Sequence, residues 1–564
     1  MLSVTGLAWG EWGEQTIALE PGWNAVFLEV QPPENGCAAV FAGLPVESVW
    51  YWNKRFEPTQ FVQEPGNLVP KSPDWLAWFP EGSKDAFLTD LFAVNAGDCL
   101  LVQLGGDARQ TLTLEGRREV RSLSWVPDSF NFVGFHVGTQ APPTFKRFFS
   151  NEKALTGQTI FRTGADGKNR QVLDPDSETL RQGEAYWIYC KGASDFSGPL
   201  KVEFPLREGL VFGELLREQS LKLANESDET RTVTVRLLPS SRPDKSDLSL
   251  PSLAGGVALS YYSLVSWSKF DEPLTFEMPP GRVQEIQLAV RRRDMPQSGD
   301  PGAQYESLLE VSDNKGMLYT IPVSAKGAVN YAGLWVGTVS LDAVSEAGNS
   351  FDPVTTKPVA QPFNFRIIVH VDASNNARIL QHVSLMQVQA KLGPSPDDPD
   401  VQIETEPARY VLLTNDDLIP EYEGVSLRDG KLVGRRISAP AFSLTAPAAL
   451  SGQINSQLTG TLQVDYKDPM NPFVHAFHPD HNNLDERYEQ QLPEGVESYS
   501  FSRAITLNFA EQDPESLGLP EWGYELVGGA YSEKLTGVHV RDIHMSGTFR
   551  LTKVMDVPVL NDGR

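Results

Sequence analysis

Pro21-Gly22-Trp23-Asn24-Ala25-Val26-Phe27-Leu28-Glu29-Val30 decides how this chain is read, because Ser129-Phe130-Asn131-Phe132-Val133-Gly134-Phe135-His136-Val137 repeats its plan. Trp23 matches Phe130, Asn24 matches Asn131, and Val26, Leu28 and Val30 match Val133, Phe135 and Val137. Each is an aromatic-Asn turn running into a strand with apolar residues at every second position. A period of two puts those residues on one face.

Working outward, both openings are followed by a Pro-containing loop and a short aromatic-rich segment, Val40-Phe41 in one and Phe148-Phe149 in the other. Val49-Trp50-Tyr51 and Thr159-Ile160-Phe161 come next. Ala96-Gly97-Asp98-Cys99-Leu100-Leu101-Val102 and Gln182-Gly183-Glu184-Ala185-Tyr186-Trp187-Ile188 close the copies, each a Gly-acid turn before a buried strand. The first copy carries an insertion of about twenty residues, rich in Trp and Pro, around Asp74 to Pro80. Residues 15–112 and 122–204 are therefore expected to share one fold, with Trp23 and Phe130 in equivalent buried positions. The Gly-Trp-Asn opening and the Gly-x-x-Tyr-Trp closing resemble a repeat of large bacterial surface and secreted multi-domain proteins. The first copy departs from that pattern where Cys99-Leu100 replaces the aromatic pair. The resemblance implies an extracellular β module and no activity.

Beyond the repeats, Ser220–Asn225, Thr232–Leu237, Gln284–Val290, Ser307–Val311 and Leu318–Val323 alternate as strands. The last two are joined through the turn Asp313-Asn314-Lys315-Gly316, and the spacing is that of an immunoglobulin-like sandwich without its Cys-Trp-Cys core. The final region opens with Gly333-Leu334-Trp335 and continues with a hairpin across Asn375-Asn376, from Phe363–Val371 into Arg378–Val383. A meander of this kind closes into a barrel or roll. The expected fold is mainly β and multi-domain, with β repeats at 1–115 and 116–205, an immunoglobulin-like β-sandwich at 206–328, and a C-terminal β domain at 329–564.

Composition sets limits on function. The chain has 564 residues, with 46 Gly and 41 Pro, a globular share of apolar residues (40%) and a net charge of −25. A polyanion is repelled by such a charge, so nucleic acid is excluded as a partner, and anionic membrane surfaces are disfavoured. No apolar stretch is long enough for a membrane span. No signal peptide is visible ahead of the first module. Cys37, Cys99 and Cys190 are too few for a disulfide scaffold; one bridge and one thiol, or three thiols, both fit.

Two local sites stand out. Seven of the eight histidines lie in the last region, and His475, His478 and His481 fall in one loop with Asp480 and Asp485. Three imidazoles from one loop can hold zinc, with the carboxylates as ligands or as orienters of the histidines; Asn and Asp oxygens could instead serve calcium. The plainer reading is a polar loop whose side chains cap turns. No HExxH, G-x-S-x-G, P-loop or GxGxxG pattern is present. The second site is Trp75 and Trp78, in the inserted loop and so expected to be exposed, where indole rings can stack on a sugar or seat a peptide.

These features point to a non-enzymatic extracellular or cell-surface protein that binds a protein or carbohydrate ligand. Two other classes stay open: a metal-dependent hydrolase with its site in the C-terminal domain, and an intracellular, cytoplasmic interaction scaffold.

Overall fold

The computed structural model describes residues 12–53, 75–121, 123–240, 252–298, 300, 303–327, 330–345, 356–395, 401–442, 444, 446–465, 468, 471, 500–515, 517–538 and 541–562. The protein is mainly β. Its α-helices among the described residues are the single turns Cys37–Val40 and Phe145–Phe148. Two compact units divide the chain, residues 1–328 and 329–564.

In the first unit the duplication is visible as identical strand order. The first repeat forms a four-stranded sheet in the order Gly22–Phe27, Cys99–Leu104, Val46–Trp52, Trp75–Trp78. The second orders Ser129–Gly134, Ala185–Cys190, Ile160–Thr163, Asn169–Gln171 in the same way: opening strand, closing strand, middle strand, outer strand. Each copy places its one-turn helix between the opening and middle strands. Asn24 and Asn131 explain the shared opening. The Asn24 amide spans its own turn, accepting from Glu20 N and donating to Glu20 O, both at 2.8 Å, and donating to Gly22 O. Asn131 does the same with Val126 N, Val126 O and Ser129 O. A short amide is suited to closing such a loop onto its own backbone.

The sandwich follows. A five-stranded sheet runs Leu200–Glu203, Glu218–Asn225, Val283–Val290, Leu259–Tyr262, Trp267–Lys269. A six-stranded sheet is built around Leu318–Lys326, Gln304–Asp313 and Arg231–Pro239. Leu221, Leu223 and Leu288 of one sheet and Val233, Leu309 and Ile321 of the other belong to one apolar cluster. The boundary expected at 205/206 needs correcting on two counts. Leu200–Glu203 pairs with the sandwich strand Glu218–Asn225, and the core of the second repeat, from Trp125 to Leu200, is continuous with that of the sandwich.

The second unit is a closed antiparallel barrel of Gly333–Ser345, Thr356–Val371, Ala377–Ile379, Ala448–Gln453, Gln457–Val464, Phe501–Phe509, Leu526–Thr536 and Ile543–Met555, the first strand pairing with the last. Val339, Ile367, Leu507, Tyr531, Phe549 and Leu551 are buried, whereas Thr338, Arg366, Ser532 and Thr548 are exposed. Alternation thus puts the apolar face inward, the reverse of a membrane-spanning barrel with its apolar outer band. Asp372 shapes the predicted hairpin turn, its Oδ1 accepting from Ser374 N and Asn376 N at 2.9 Å each, with Asn375 left-handed at φ +63°. The strand expected over Arg378–Val383 is broken, however. It leaves the barrel after Ile379, and His382–Val388 joins a separate sheet with Arg409–Leu413, Glu423–Gly424 and Arg435–Ser438. That excursion returns through Ala441 and fully buried Phe442. Arg503 donates to Ala441 O, lies 4.6 Å from the Phe442 ring centroid and pairs with Glu533.

Candidate functional site

The two repeat sheets face each other across an aromatic layer. Alternation sends Phe27, Leu101, Trp52 and Trp75 of the first sheet toward Phe132, Ala185 and Trp187 of the second. The Trp187 ring centroid lies 4.8 Å from Phe132, 5.2 Å from Trp52 and 6.1 Å from Trp75. Such a layer stabilises by area burial and by edge-to-face contacts, each worth about 0.5–1.5 kcal/mol beyond area.

This layer revises the reading of Trp75 and Trp78. They lie in a strand and not in a loop, with Trp75 opposite Trp52 and Trp78 opposite Val49. Three residues apart in a strand means opposite faces. Trp75 therefore joins the layer with Trp50 and Trp187, while Trp78 stacks on Phe41 at 5.9 Å on the other side. Both are half-buried, so the pair makes no common platform. Trp23 and Phe130 do occupy matching places, but at the edge of the layer and only half-buried. His475, His478, Asp480, His481 and Asp485 lie outside the described residues. Among the described residues, no group of three or more His, Cys, Asp or Glu is arranged to hold a metal ion.

Beside the layer, a cleft of about 500 Å³ opens between the repeats. Ile17, Ala18, Trp23 and Ala25 form one wall, and Ala165 and Leu180 belong to the other. The strand Gly22–Phe27 ties the repeats together at both ends: Trp23 N donates to Ala165 O at 3.0 Å and Phe27 N to Gly183 O at 2.8 Å. Ion pairs stand at the rim. Arg109 Nε lies 3.4 Å from Glu20, with both side chains mostly exposed, and Arg181 Nε lies 3.9 Å from Glu184. The exposed Arg109–Glu20 pair contributes about 0–1 kcal/mol, whereas Glu184 is held chiefly by Arg162, Nη2 to Oε2 at 2.7 Å and Nε to Oε1 at 3.1 Å. Asn24, Thr163 and Gln182 share the lining with these apolar groups, so the cleft offers both apolar and hydrogen-bonding contacts to a ligand.

Next to the cleft lies a buried polar junction. His136 Nδ1 is 3.1 Å from Glu29 Oε1, and Arg118 Nη1 donates to Glu29 Oε2 at 3.1 Å. Glu119 sits between Arg117 and Arg121, with Arg121 Nε at 2.8 Å. Burial alone would raise the Glu119 carboxyl, but the two guanidiniums outweigh it and hold it below the usual range. Asp98 goes the other way: burial raises it, despite a hydrogen bond from Asn95 N. Three further cavities, of about 680, 20 and 190 Å³, share His136 in their walls. The repeat alignment held the clue to this junction, since Glu29 and His136 fall at the same position of the two copies.

No protein-family model and no curated protein matches the chain. Among solved structures it is similar to the Salmonella enterica SafA pilin in complex with the SafB chaperone, at 8% identity over 32% of this chain and 89% of that one, with a TM-score of 0.15. The E. coli chaperone DraB matches at 8% identity over 30% and 90%, TM-score 0.15. The Class 5 fimbriae chaperone CfaA matches at 10% identity over 38% and 98%, TM-score 0.16. Likenesses at these scores carry no argument about this chain.

Proposed function

We propose that this chain is a non-enzymatic binding protein of the extracellular space or cell surface, and that the cleft between its two repeats seats the ligand. The observation that carries this reading is the cleft itself, with Trp23 and aliphatic side chains in its wall and the Glu20–Arg109 and Glu184–Arg181 pairs at its rim. A lining that mixes an indole and aliphatic groups with amides, hydroxyls and charges suits a ligand with apolar faces and many hydroxyl groups. A carbohydrate chain has that chemistry, its CH faces packing on an indole and its hydroxyls replacing water on carboxylate and guanidinium. The net charge of −25 favours a neutral or basic ligand over an acidic one.

The test is a glycan array probed with the full chain, followed by titration of the strongest binder. Saturable binding is expected, with Trp23→Ala weakening it about tenfold, the scale of one lost stacking contact. Binding that Trp23→Ala and Arg181→Ala both leave unchanged would move the ligand elsewhere on the chain. Absence of any glycan bound would remove the carbohydrate reading.

A further inference from the structure

The five-stranded sheet of the sandwich ends in a hairpin unlike the other turns of the first unit. Its strands pair Ser260 with Lys269, Tyr261 with Ser268 and Tyr262 with Trp267. The turn between them is Ser263-Leu264-Val265-Ser266, closed by Ser263 N and Ser263 Oγ, both donating to Ser266 O, at 2.9 and 2.8 Å. Leu264 has φ +73°. Hairpin turns ordinarily give that left-handed position to Gly or Asn, because a side chain there collides with its own backbone. Leu264 and Val265 are also 89% and 86% exposed, the highest values for large apolar side chains among the described residues.

Leucine at this position is therefore unfavourable twice, in backbone strain and in apolar area left in water. Glycine would avoid both. The fold does not need Leu264, so its use lies outside the fold. What stands behind the tip suggests that use. The rings of Tyr262 and Trp267 pair across the strands with centroids 5.4 Å apart. Behind them, Lys269 pairs with Asp294 at 2.9 Å. The finger runs from aliphatic tip, through hydroxyls and aromatic rings, to ion pairs.

That is the polarity gradient of a lipid–water interface, where Trp and Tyr settle at headgroup level with aliphatic groups below them. We propose that the 263–266 tip inserts shallowly into a lipid surface, with Tyr262 and Trp267 among the headgroups. The charge of the chain decides which lipid: at −25 it is repelled by anionic headgroups, so the surface is zwitterionic. This contact is separate from the inter-repeat cleft and does not depend on the ligand seated there.

The experiment is co-sedimentation of the full chain with phosphatidylcholine vesicles, in parallel with thermal unfolding. The wild type is expected to sediment with these vesicles and less with vesicles containing phosphatidylglycerol. Leu264→Gly should reduce the partition coefficient about tenfold or more, the effect of one lost aliphatic side chain. Its Tm should equal or exceed that of the wild type, because Gly adopts the left-handed conformation freely. Leu264→Asp should abolish sedimentation. A wild type that stays in the supernatant overturns the proposal and leaves an apolar pocket on a protein as the partner of the tip. Equal sedimentation of Leu264→Gly and wild type overturns it as well, because the contact would then not involve the tip.

Discussion

Glu29 and His136 occupy the same position in the two repeats and touch each other, Oε1 to Nδ1 at 3.1 Å. Two residues earlier the relationship recurs: a Cβ built on Gly134 would come to 2.1 Å from Phe27 Cγ. Equivalent residues meet in this way at the centre of an isologous dimer, where the same patch of both copies is in contact. The two repeats meet through equivalent positions, as the halves of such a dimer do, and sequence divergence there makes each contact complementary. Carboxylate meets imidazole, and ring meets glycine.

The contact between Glu29 and His136 should be measurable as coupling. His136→Ala leaves Glu29 buried with Arg118 as its remaining charged partner, so a cost of about 1–3 kcal/mol is expected. In a double-mutant cycle with Glu29→Gln, the two effects should fall short of additivity by about 0.5 kcal/mol or more. Strict additivity in denaturant titrations would mean that the pair is not energetically linked.

Gly134→Ala should destabilise the first unit by about 1–3 kcal/mol, because the methyl group enters the space of the Phe27 ring. The same substitution should cost much less in a Phe27→Gly background, which removes the Phe27 Cβ, 2.3 Å from the new methyl group, together with the ring. Thermal unfolding of the four variants decides it, and a full penalty in the Phe27→Gly background would place the strain elsewhere.

Asn24 and Asn131 make the same bonds at different depths, which separates their energetics. Asn131 is fully buried, and Asn131→Ala takes the partner from Ser129 O inside the protein and from half-buried Val126 N and O, at about 1–3 kcal/mol. Asn24 bonds to Glu20 near solvent, where water can replace the lost amide, so Asn24→Ala should cost about 1 kcal/mol or less. Hydrogen exchange at the Val126 and Glu20 amides should rank the two variants in that order.

Cys37, Cys99 and Cys190 are all buried thiols, so of the two arrangements left open it is three thiols that the structure holds. Burial pushes the Cys37 thiol up to about 12 and Cys190 to about 11. Native protein at pH 8 should therefore resist iodoacetamide at both positions, while urea-unfolded protein reacts at once. These folded-state values lie above those of the unfolded chain, so the folded state holds more protons, and stability falls as pH rises from about 9 toward 12. Alkylation of Cys37 in the native state at pH 8 would contradict the burial.

In the barrel, Glu533 is buried and accepts from Tyr531 Oη at 2.7 Å and from Arg503 Nη2 at 3.1 Å. Burial, reinforced by Glu533, pushes the Tyr531 hydroxyl well above its usual range. Glu533→Ala leaves the Arg503 cation without its partner and should cost about 3–5 kcal/mol. Glu533→Gln keeps an acceptor for Tyr531 and should cost less. Loss of the Arg503 anchor should also loosen Ala441 and Phe442, seen as faster exchange of the 439–442 amides. Equal stability of wild type and Glu533→Ala would show that the pair contributes nothing net.

By itself, the sequence determined the β class, the duplication, the sandwich strands and the hairpin across Asn375, because each rests on a pattern local in the chain: alternation by twos, an amide that closes its own loop, a turn residue that tolerates positive φ. Only the tertiary structure decided which face of each strand met what. Trp75 and Trp78 read together as exposed, but a strand sends them to opposite sides, and both sides find partners in Trp187 and Phe41. Likewise Arg378–Val383 reads as one strand, yet the barrel takes its first residues and a second sheet the rest. The cleft was illegible because its walls, Ile17 to Ala25 and Ala165 to Leu180, come from different copies. Alternation is written residue by residue along the chain, whereas the surface that covers a face comes from packing between segments far apart in sequence, and no local pattern encodes it.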